Sequence, residues 1–590
     1  MQAISHAKTF STVIAPDNAF RTAAINTFIN NAVGTNRSAS SLTYADFIGP
    51  PRGDTTTRDT TRIVAGFNGK FDLPAFEVHY DTAFNFGETD NSFVDHSELL
   101  PGNFRASLDS VIDPATGKAA CRINVPSAQA AGYVAPTGIT QLASTCVPFN
   151  PFGQTNGPAF FKWAEATLSE SQKITQEVVN ANFRIDSSRF FNLPGGPIDA
   201  AFGAEYRRET SVNTNDPLAL QGLTFRAAAP TAPGHFSVYE GYLELRAPIL
   251  KHRFLAEELT VGGAVRQAKY EPFGSVNTWN ANFVYEPFER DLTGWRAPLS
   301  GLRFRGTAAS ATRAPNIDEA YRPISPGFAN ITDPCDAQNI GLNVNRVANC
   351  AALGIPTAFH AQTAQSINTI TSGGLVNGTG TLNNETAHTY TLGLTYQPDW
   401  LTGVVFTMDY YNINILNAIT LPATQTIINN CVDAPGLNPQ FCNLVTRLPS
   451  SDPAKAFNIQ KVTAQFLNAA ALRTHGVDFQ VGYAHNVSDW TQHLGPLQKL
   501  DGRIRASVEA NWTQANRTIP FSQFPNIQNI NEARLGLPTE RGTLDLSYSQ
   551  GDLTVGWRSR YVSRTALFNR DSTQIEHCEA ISPCQIKATA

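Results

Sequence analysis

Apolar and polar residues alternate along this chain over long stretches, the period of two that puts successive side chains on opposite faces of a β-strand. In FEVHYDTAFNF, Phe76, Val78, Tyr80, Thr82, Phe84 and Phe86 share one face, while Glu77, His79, Asp81 and Asn85 share the other. In VVNANFRID, Val179, Ala181, Phe183 and Ile185 oppose Asn180, Asn182, Arg184 and Asp186. A Leu-Pro-Gly-Gly-Pro turn at 193–197 then leads into Ile198, Ala200, Phe202, Ala204 and Tyr206, opposed by Asp199, Glu205 and Arg207. That pattern reads as a hairpin with one polar face. It returns in GTLDLSYSQGDLTVGWRSRY, where Leu544, Leu546, Tyr548, Leu553, Val555, Trp557 and Tyr561 oppose Arg558 and Arg560 around a turn at 549–552.

The pattern predicts about 14 strands, with ends uncertain by roughly 2–4 residues. They fall at 57–68, 75–88, 170–190, 198–212, 237–249, 257–270 and 276–286, then at 302–314, 384–397, 402–415, 467–485, 502–514, 538–549 and 553–565. Short turns at 193–197, 398–402 and 549–552 take turns with long irregular segments at about 88–168, 315–383, 416–466 and 565–590. Short turns at one rim, long loops at the other, and strands apolar on one face and polar on the other make the pattern of a transmembrane antiparallel up-and-down β-barrel. A soluble sandwich or β-solenoid also alternates. It leaves unexplained why Arg, Glu and Asp balance the aromatic, Val and Leu face in nearly every strand.

All eight cysteines lie in the long segments, as neighbouring couples: Cys121 with Cys146, Cys335 with Cys350, Cys431 with Cys442, and Cys578 with Cys584. None has the CxxC spacing of a zinc or redox site, so local disulfides in an oxidising compartment are expected, with free thiols in cytoplasmic loops as the alternative. The chain has no run of roughly 18–20 apolar residues that would make a membrane helix. Its Met1 end, MQAISHAKTFSTV, lacks the apolar core of a secretory signal. The expectation is either a cytoplasmic protein or an internal piece of an exported chain.

In 590 residues no Pro/Ser/Gly-rich linker or charge block marks a boundary, which fits one large repetitive architecture. A net charge of -5 with 16% charged residues argues against a nucleic-acid partner. No HExxH, GxSxG, Walker or GxGxxG pattern occurs, so neither an enzyme nor a cofactor or metal site is expected. Glu240 and Glu244 share a strand face, but a spacing of i to i+4 sets them about 13 Å apart, too far for a glycosidase pair.

The segment ATRAPNIDEAYRP, from Ala311 to Pro323, follows a strand in which Leu302, Phe304, Gly306 and Ala308 face one way and Arg303, Arg305, Thr307, Ala309 and Arg313 the other. An Arg facing lipid at mid-bilayer costs about 2–4 kcal/mol, so these arginines belong in the lumen. Pro315 has no N–H to donate and ends the ladder. If this strand pairs with the one that begins near Glu385, the register that opposes Arg313 to Glu385 also opposes Phe304 to Leu394 and Leu302 to Tyr396. It matches apolar face with apolar face throughout. Arg313 and Glu385 are then expected to form a lumen ion pair at the base of the 315–383 loop.

RFRGTAASATRAPNIDEAY, followed by NETAHTYTLGLTYQPDWLTGVVFTMDYYNINILNAI, resembles the barrel of TonB-dependent outer-membrane receptors. VYEGYLELRAPIL, CVPFNPFG and THGVDFQVGY are similar to other signatures of that family, and together they cover most of the chain. The resemblance implies that residues 1–590 are a partial barrel domain with long extracellular loops. It implies a place in the outer membrane of a Gram-negative cell, contact with outer-membrane lipid, an unidentified solute ligand, and the TonB complex as partner through an N-terminal segment. Family barrels have roughly 22 strands, and the plug domain, the TonB-contacting segment and further strands are expected to lie outside this chain. Three functions stay open: a receptor that captures a scarce solute and imports it with TonB-supplied energy, a passive porin-type channel, and a surface β-protein that only binds.

Overall fold

The computed structural model describes residues 9–12, 14–33, 42–45, 53–153, 156–224, 233–289, 292–362, 365–375, 382–453, 455–491, 502–520 and 525–566. Fourteen long strands form one antiparallel sheet in which each pairs with its neighbours in sequence. They are β1 (Gly53–Asp72), β2 (Glu77–Leu99), β3 (Glu165–Asp186), β4 (Asp199–Thr214), β5 (Gly234–Arg253), β6 (Ala256–Glu271) and β7 (Gly274–Glu286). After them come β8 (Leu302–Arg313), β9 (Glu385–Tyr396), β10 (Val404–Thr420), β11 (Leu467–Asn486), β12 (Arg503–Ile519), β13 (Glu540–Gln550) and β14 (Leu553–Val562). A short strand, Asn529–Ile530, adds to β12. Among the described residues β1 and β14 each have one partner strand, so the barrel wall is open.

Alternation in sequence becomes two faces because the register keeps parity from strand to strand. Tyr80 opposes Phe183, Phe183 opposes Phe202, and Phe202 opposes Leu243, all on the apolar face. Two rings of this row stack, Phe183 and Phe202, with centroids 5.4 Å apart. On β2 the apolar stretch from Val78 to Phe86 is about as long as the roughly 9–11 residues a tilted strand needs to cross hydrocarbon. Past it the same face carries Glu88 and Asp90, and Lys173 of β3 pairs with Glu88 at 2.9 Å. The strands thus outrun the apolar band and rise into a polar zone. Among the described residues no helix is long and apolar enough to cross a membrane.

The two rims differ. At one, β5 passes to β6 across residues 254–255 and β13 to β14 across 551–552. Here Phe190, Phe254, Trp295 and Trp400 are exposed, and Tyr396 accepts from Trp400 Nε1 at 3.1 Å while its hydroxyl donates to Pro298 O at 2.7 Å. At the opposite rim the chain makes its long excursions, between β2 and β3, β8 and β9, and β10 and β11.

The excursions are more ordered than their sequence suggests. Where irregular loops were expected at 315–383 and 416–466, the structure builds a second sheet of four strands: Ser325–Ile331, Gln365–Ser372, Ile459–Gln465 and Val445–Arg447, in that order. The central pair, Gln365–Ser372 with Ile459–Gln465, is parallel and joins the two excursions. One side of this rim sheet presents Ile367, Val462 and Ala464 to a core that includes Ile427, Ile428, Val432, Phe441 and Phe359. Full burial of each large apolar side chain contributes about 1.5–3 kcal/mol. The core therefore holds the two excursions as one body. The first excursion has its own core, in which Phe104, Phe149, Phe160 and Trp163 pack with Ile14 of the N-terminal segment.

Candidate functional site

On its polar face the wall carries side chains in cross-strand groups. Arg305 on β8 and Asp409 on β10 meet over the strand between them, with Arg305 Nε donating to Asp409 Oδ1 at 2.9 Å and Nη2 to Oδ2 at 2.5 Å. The residue between them in register is Gly393. A Cβ there would lie 2.1 Å from Asp409 Oδ1 and 2.8 Å from Arg305 Nε, so glycine leaves the space in which the pair closes. Next along the sheet, Asn511 donates to Asp478 at 2.7 Å. With Gln480, Glu509, Arg541 and Arg560 these side chains line one hollow of the wall.

A second group lies on β3 to β7. Tyr242 donates to Asn182 Oδ1 at 2.8 Å, Asn282 donates to Asn280 at 3.2 Å, and Arg266 pairs with Glu240. The structure thus places Glu240 in an ion pair on the wall, with Glu244 four residues on along the same strand.

Arg313 and Glu385 oppose one another in register, at the end of β8 and the start of β9. Arg313 Nε donates to Glu385 Oε2 at 2.6 Å, and Glu385 Oε1 accepts from the backbone N–H of Ile419 at 2.6 Å. Sequence reasoning missed the third member. Arg313 also donates to both carboxylate oxygens of Glu319, at 2.8 and 3.0 Å. Glu319 in turn closes a capping box with Asn316 on the short helix Ile317–Tyr321. The signal was present: Asn, then Glu three residues later, just after a proline, is a helix-start pattern. The group ties β8, β9 and β10 to the start of the excursion above them.

Each excursion also has a covalent clip. Cys121 bonds Cys146, Cys335 bonds Cys350, and Cys431 bonds Cys442, each within one excursion and all at the same rim. Cys578 and Cys584 lie outside the described residues. Two ion pairs invisible in the sequence join the second and third excursions. Arg346 Nε and Nη2 donate to Asp433 at 2.6 and 2.9 Å. Arg447 Nη1 and Nη2 donate to the buried Asp333 at 2.6 and 2.8 Å. Asn349 adds bonds to the carbonyls of Val432 and Ala434, both at 2.8 Å.

In the first excursion Arg122 reaches Asp17 at 2.6 Å and Asp109 at 2.8 Å. The hydrogen bond to Asp17, with that to Asp109, raises the guanidinium above its ordinary value, and the Arg122 hydrogen bond holds Asp17 below the usual carboxylate range. Tyr133, bonded to Asp109 at 3.1 Å, is pushed up to about 12, first by burial and then by that carboxylate. The whole arrangement is a polar wall under a rim of excursions fixed by disulfides and buried ion pairs. It can present a preformed surface to a solute.

The β-barrel domain described as TonB dependent receptor-like matches residues 9–579. Among curated proteins none matches the chain. Among solved structures, the siderophore receptor PirA from Acinetobacter baumannii is similar over 87% of this chain and 66% of its own, at 11% identity and a TM-score of 0.35. The RagAB peptide importer in its closed-closed state is similar over 87% and 48%, at 10% identity and a TM-score of 0.41. A double mutant of the hemophore receptor HasR of Serratia marcescens, with its hemophore HasA and heme, is similar over 87% and 64%, at 11% identity and a TM-score of 0.35. The chain thus spans less than two thirds of the length of these receptors.

Proposed function

Because this chain belongs to the TonB-dependent receptor family, in its β-barrel domain, we propose that it is the capturing and conducting wall of an outer-membrane transporter that imports a scarce solute with energy delivered by TonB. On this reading residues 1–590 are one partial barrel domain in a Gram-negative outer membrane, and its role is non-catalytic. The apolar face, bounded by exposed Phe190, Phe254, Trp295 and Trp400 at the short-turn rim, meets lipid, where aromatic side chains favour the interface. The TonB complex is reached through an N-terminal plug-bearing segment of the full-length protein.

The observation that carries the reading is the difference between the rims. One rim carries the tightest turns, at 254–255 and 551–552, while at the other three disulfides, and a core shared by two of the excursions, stiffen the excursions into a built surface. A passive channel needs a pore and gains nothing from such a surface. Deleting the full gene and assaying growth and uptake across a solute panel tests the proposal. The expected outcome is loss of uptake for one solute class, reproduced by deleting TonB. Uptake that persists without TonB would point to the porin-type reading, and binding without any uptake to a surface protein that only binds.

A further inference from the structure

The rim sheet covers its core with one side only. On the other side, Phe328, Asn368, Lys461 and Thr446 stand in one row across its four strands, since Phe328 opposes Asn368, Asn368 aligns with Lys461, and Lys461 opposes Thr446. Ile370 and Thr463 form the next row on the same side. Phe328 is 80% exposed, and Asn368 and Thr446 are exposed beside it. An aromatic ring left 80% exposed at the centre of an antiparallel edge strand, on a sheet fixed by two disulfides and two ion pairs, is a surface prepared for something else.

Charge selects what that is. Four carboxylates around this sheet are already held by arginines: Asp318 by Arg322, Glu319 by Arg313, Asp333 by Arg447 and Asp433 by Arg346. Lys461 has no ion pair among the described residues. Lys461 is half-buried, and a lysine can bury its apolar stem while its ammonium stays within reach of a ligand. Neighbouring strands are about 4.8 Å apart, so Phe328 and Lys461 are about 10 Å apart with the Asn368 amide between them.

We propose that this face is a docking platform for a small amphipathic organic anion. A flat apolar group lies on Phe328 and Ile370, hydrogen-bonding groups lie over Asn368, and a carboxylate or similar anion ends on Lys461. Phe328 contributes contact area at little entropic cost, and Lys461 contributes a charge-assisted hydrogen bond. For its biological purpose the platform rests on the receptor reading above, because a solute held there sits on the rim through which it would enter.

The test uses the protein in lipid nanodiscs, with empty nanodiscs as reference, and isothermal titration with biphenyl-4-carboxylate and its neutral isostere biphenyl-4-carboxamide. The acid binds, the amide binds at least tenfold more weakly, and Phe328→Ala and Lys461→Gln each weaken the acid at least tenfold, whereas Lys461→Arg stays within about threefold of wild type. Equal binding of acid and amide, unchanged binding in either variant, or no binding to the wild-type protein overturns the platform. Hydrogen exchange at the buried Val462, unchanged in the variants, shows that the sheet itself is intact. No energised membrane is involved, so failure here leaves the transport reading to be decided by the uptake assay.

Discussion

Arg346 and Asp433 are 87 residues apart in sequence and share two hydrogen bonds, at 2.6 and 2.9 Å, between one excursion of the chain and the next. The Arg346 side chain is only 10% exposed, so the pair is shielded from solvent and from salt. Removing one partner of a buried pair strands the other charge, at a cost of about 3–5 kcal/mol.

Asp433→Asn should therefore loosen the rim sheet without disturbing the wall. Hydrogen exchange is the measurement: amides of Ile427 to Val432 and of Ile459 to Gln465 should lose protection, while those of β8 and β9 keep theirs. Replacement of both residues by well-packed apolar side chains should restore much of the protection, because no charge is then left buried. If the single variant leaves exchange unchanged, the two excursions are joined by their core alone.

At the base of the same rim, Arg313 spans Glu385 and Glu319. Its side chain is 46% exposed, so each ion pair contributes only about 0–1 kcal/mol. The expected effect of Arg313→Lys is one of position more than of stability, since an ammonium cannot reproduce the fork that holds two carboxylates at once. Exchange at the Ile419 amide, which donates to Glu385, should rise in Glu385→Gln and in Arg313→Lys, with overall thermal stability nearly unchanged. A large fall in thermal stability would show that the group bears on the wall as a whole.

The contrast between wall and rim shows what the chain reveals about itself before folding. The wall is legible because lipid and a wet interior impose opposite chemistry on alternate residues, so strands and register follow from parity: Arg303 against Thr395 and Phe304 against Leu394 can be read directly. The rim sheet obeys no such rule. Ser325–Ile331 contains Pro326 and Gly327, both poor strand formers, and the central pair of the sheet, Gln365–Ser372 with Ile459–Gln465, joins segments from two different excursions. Asp333 and Arg447 are 114 residues apart, and nothing local in either segment points to the other. Glu319 lies between these cases. Its capping box is a local signal, but its bond to Arg313 depends on how β8 ends.

The disulfides give a separable prediction. Cys335–Cys350 closes a 15-residue loop, for which the chain-entropy model assigns about 3 kcal/mol. Paired alanine substitutions at Cys335 and Cys350 should leave the β content measured by circular dichroism unchanged and raise exchange at Ile355 and Ile367, which share the core with this clip. If the substitution prevents the wall from forming, the rim takes part in folding the barrel, and the two layers are not independent.

The N-terminal segment provides a prediction in pH. Asp17 accepts from Arg122 at 2.6 and 2.8 Å, and next to it the Ala19 amide donates to Ser110 O at 3.0 Å, fixing the segment to the first excursion. The Arg122 hydrogen bond lowers the Asp17 carboxyl from its ordinary 3.8, so its contribution is present above that value and is lost as pH falls through the still lower folded value. Tyr133 works at the other end of the scale. Burial and Asp109 push it up to about 12, so the folded state favours the neutral phenol, and that contribution persists below the ordinary 10 and is lost as pH rises towards 12. Protection of the Ala19 amide, corrected for intrinsic exchange, should therefore be high and flat between these limits and fall on both sides. Asp17→Asn at neutral pH should reproduce the acid state, and wild type and variant should converge once the pH has fallen through the lowered folded value of Asp17, where both side chains are uncharged. Equal protection of Ala19 in Asp17→Asn and wild type at pH 7 would mean that Ile14, packed in the core with Trp163, holds the segment without the ion pair.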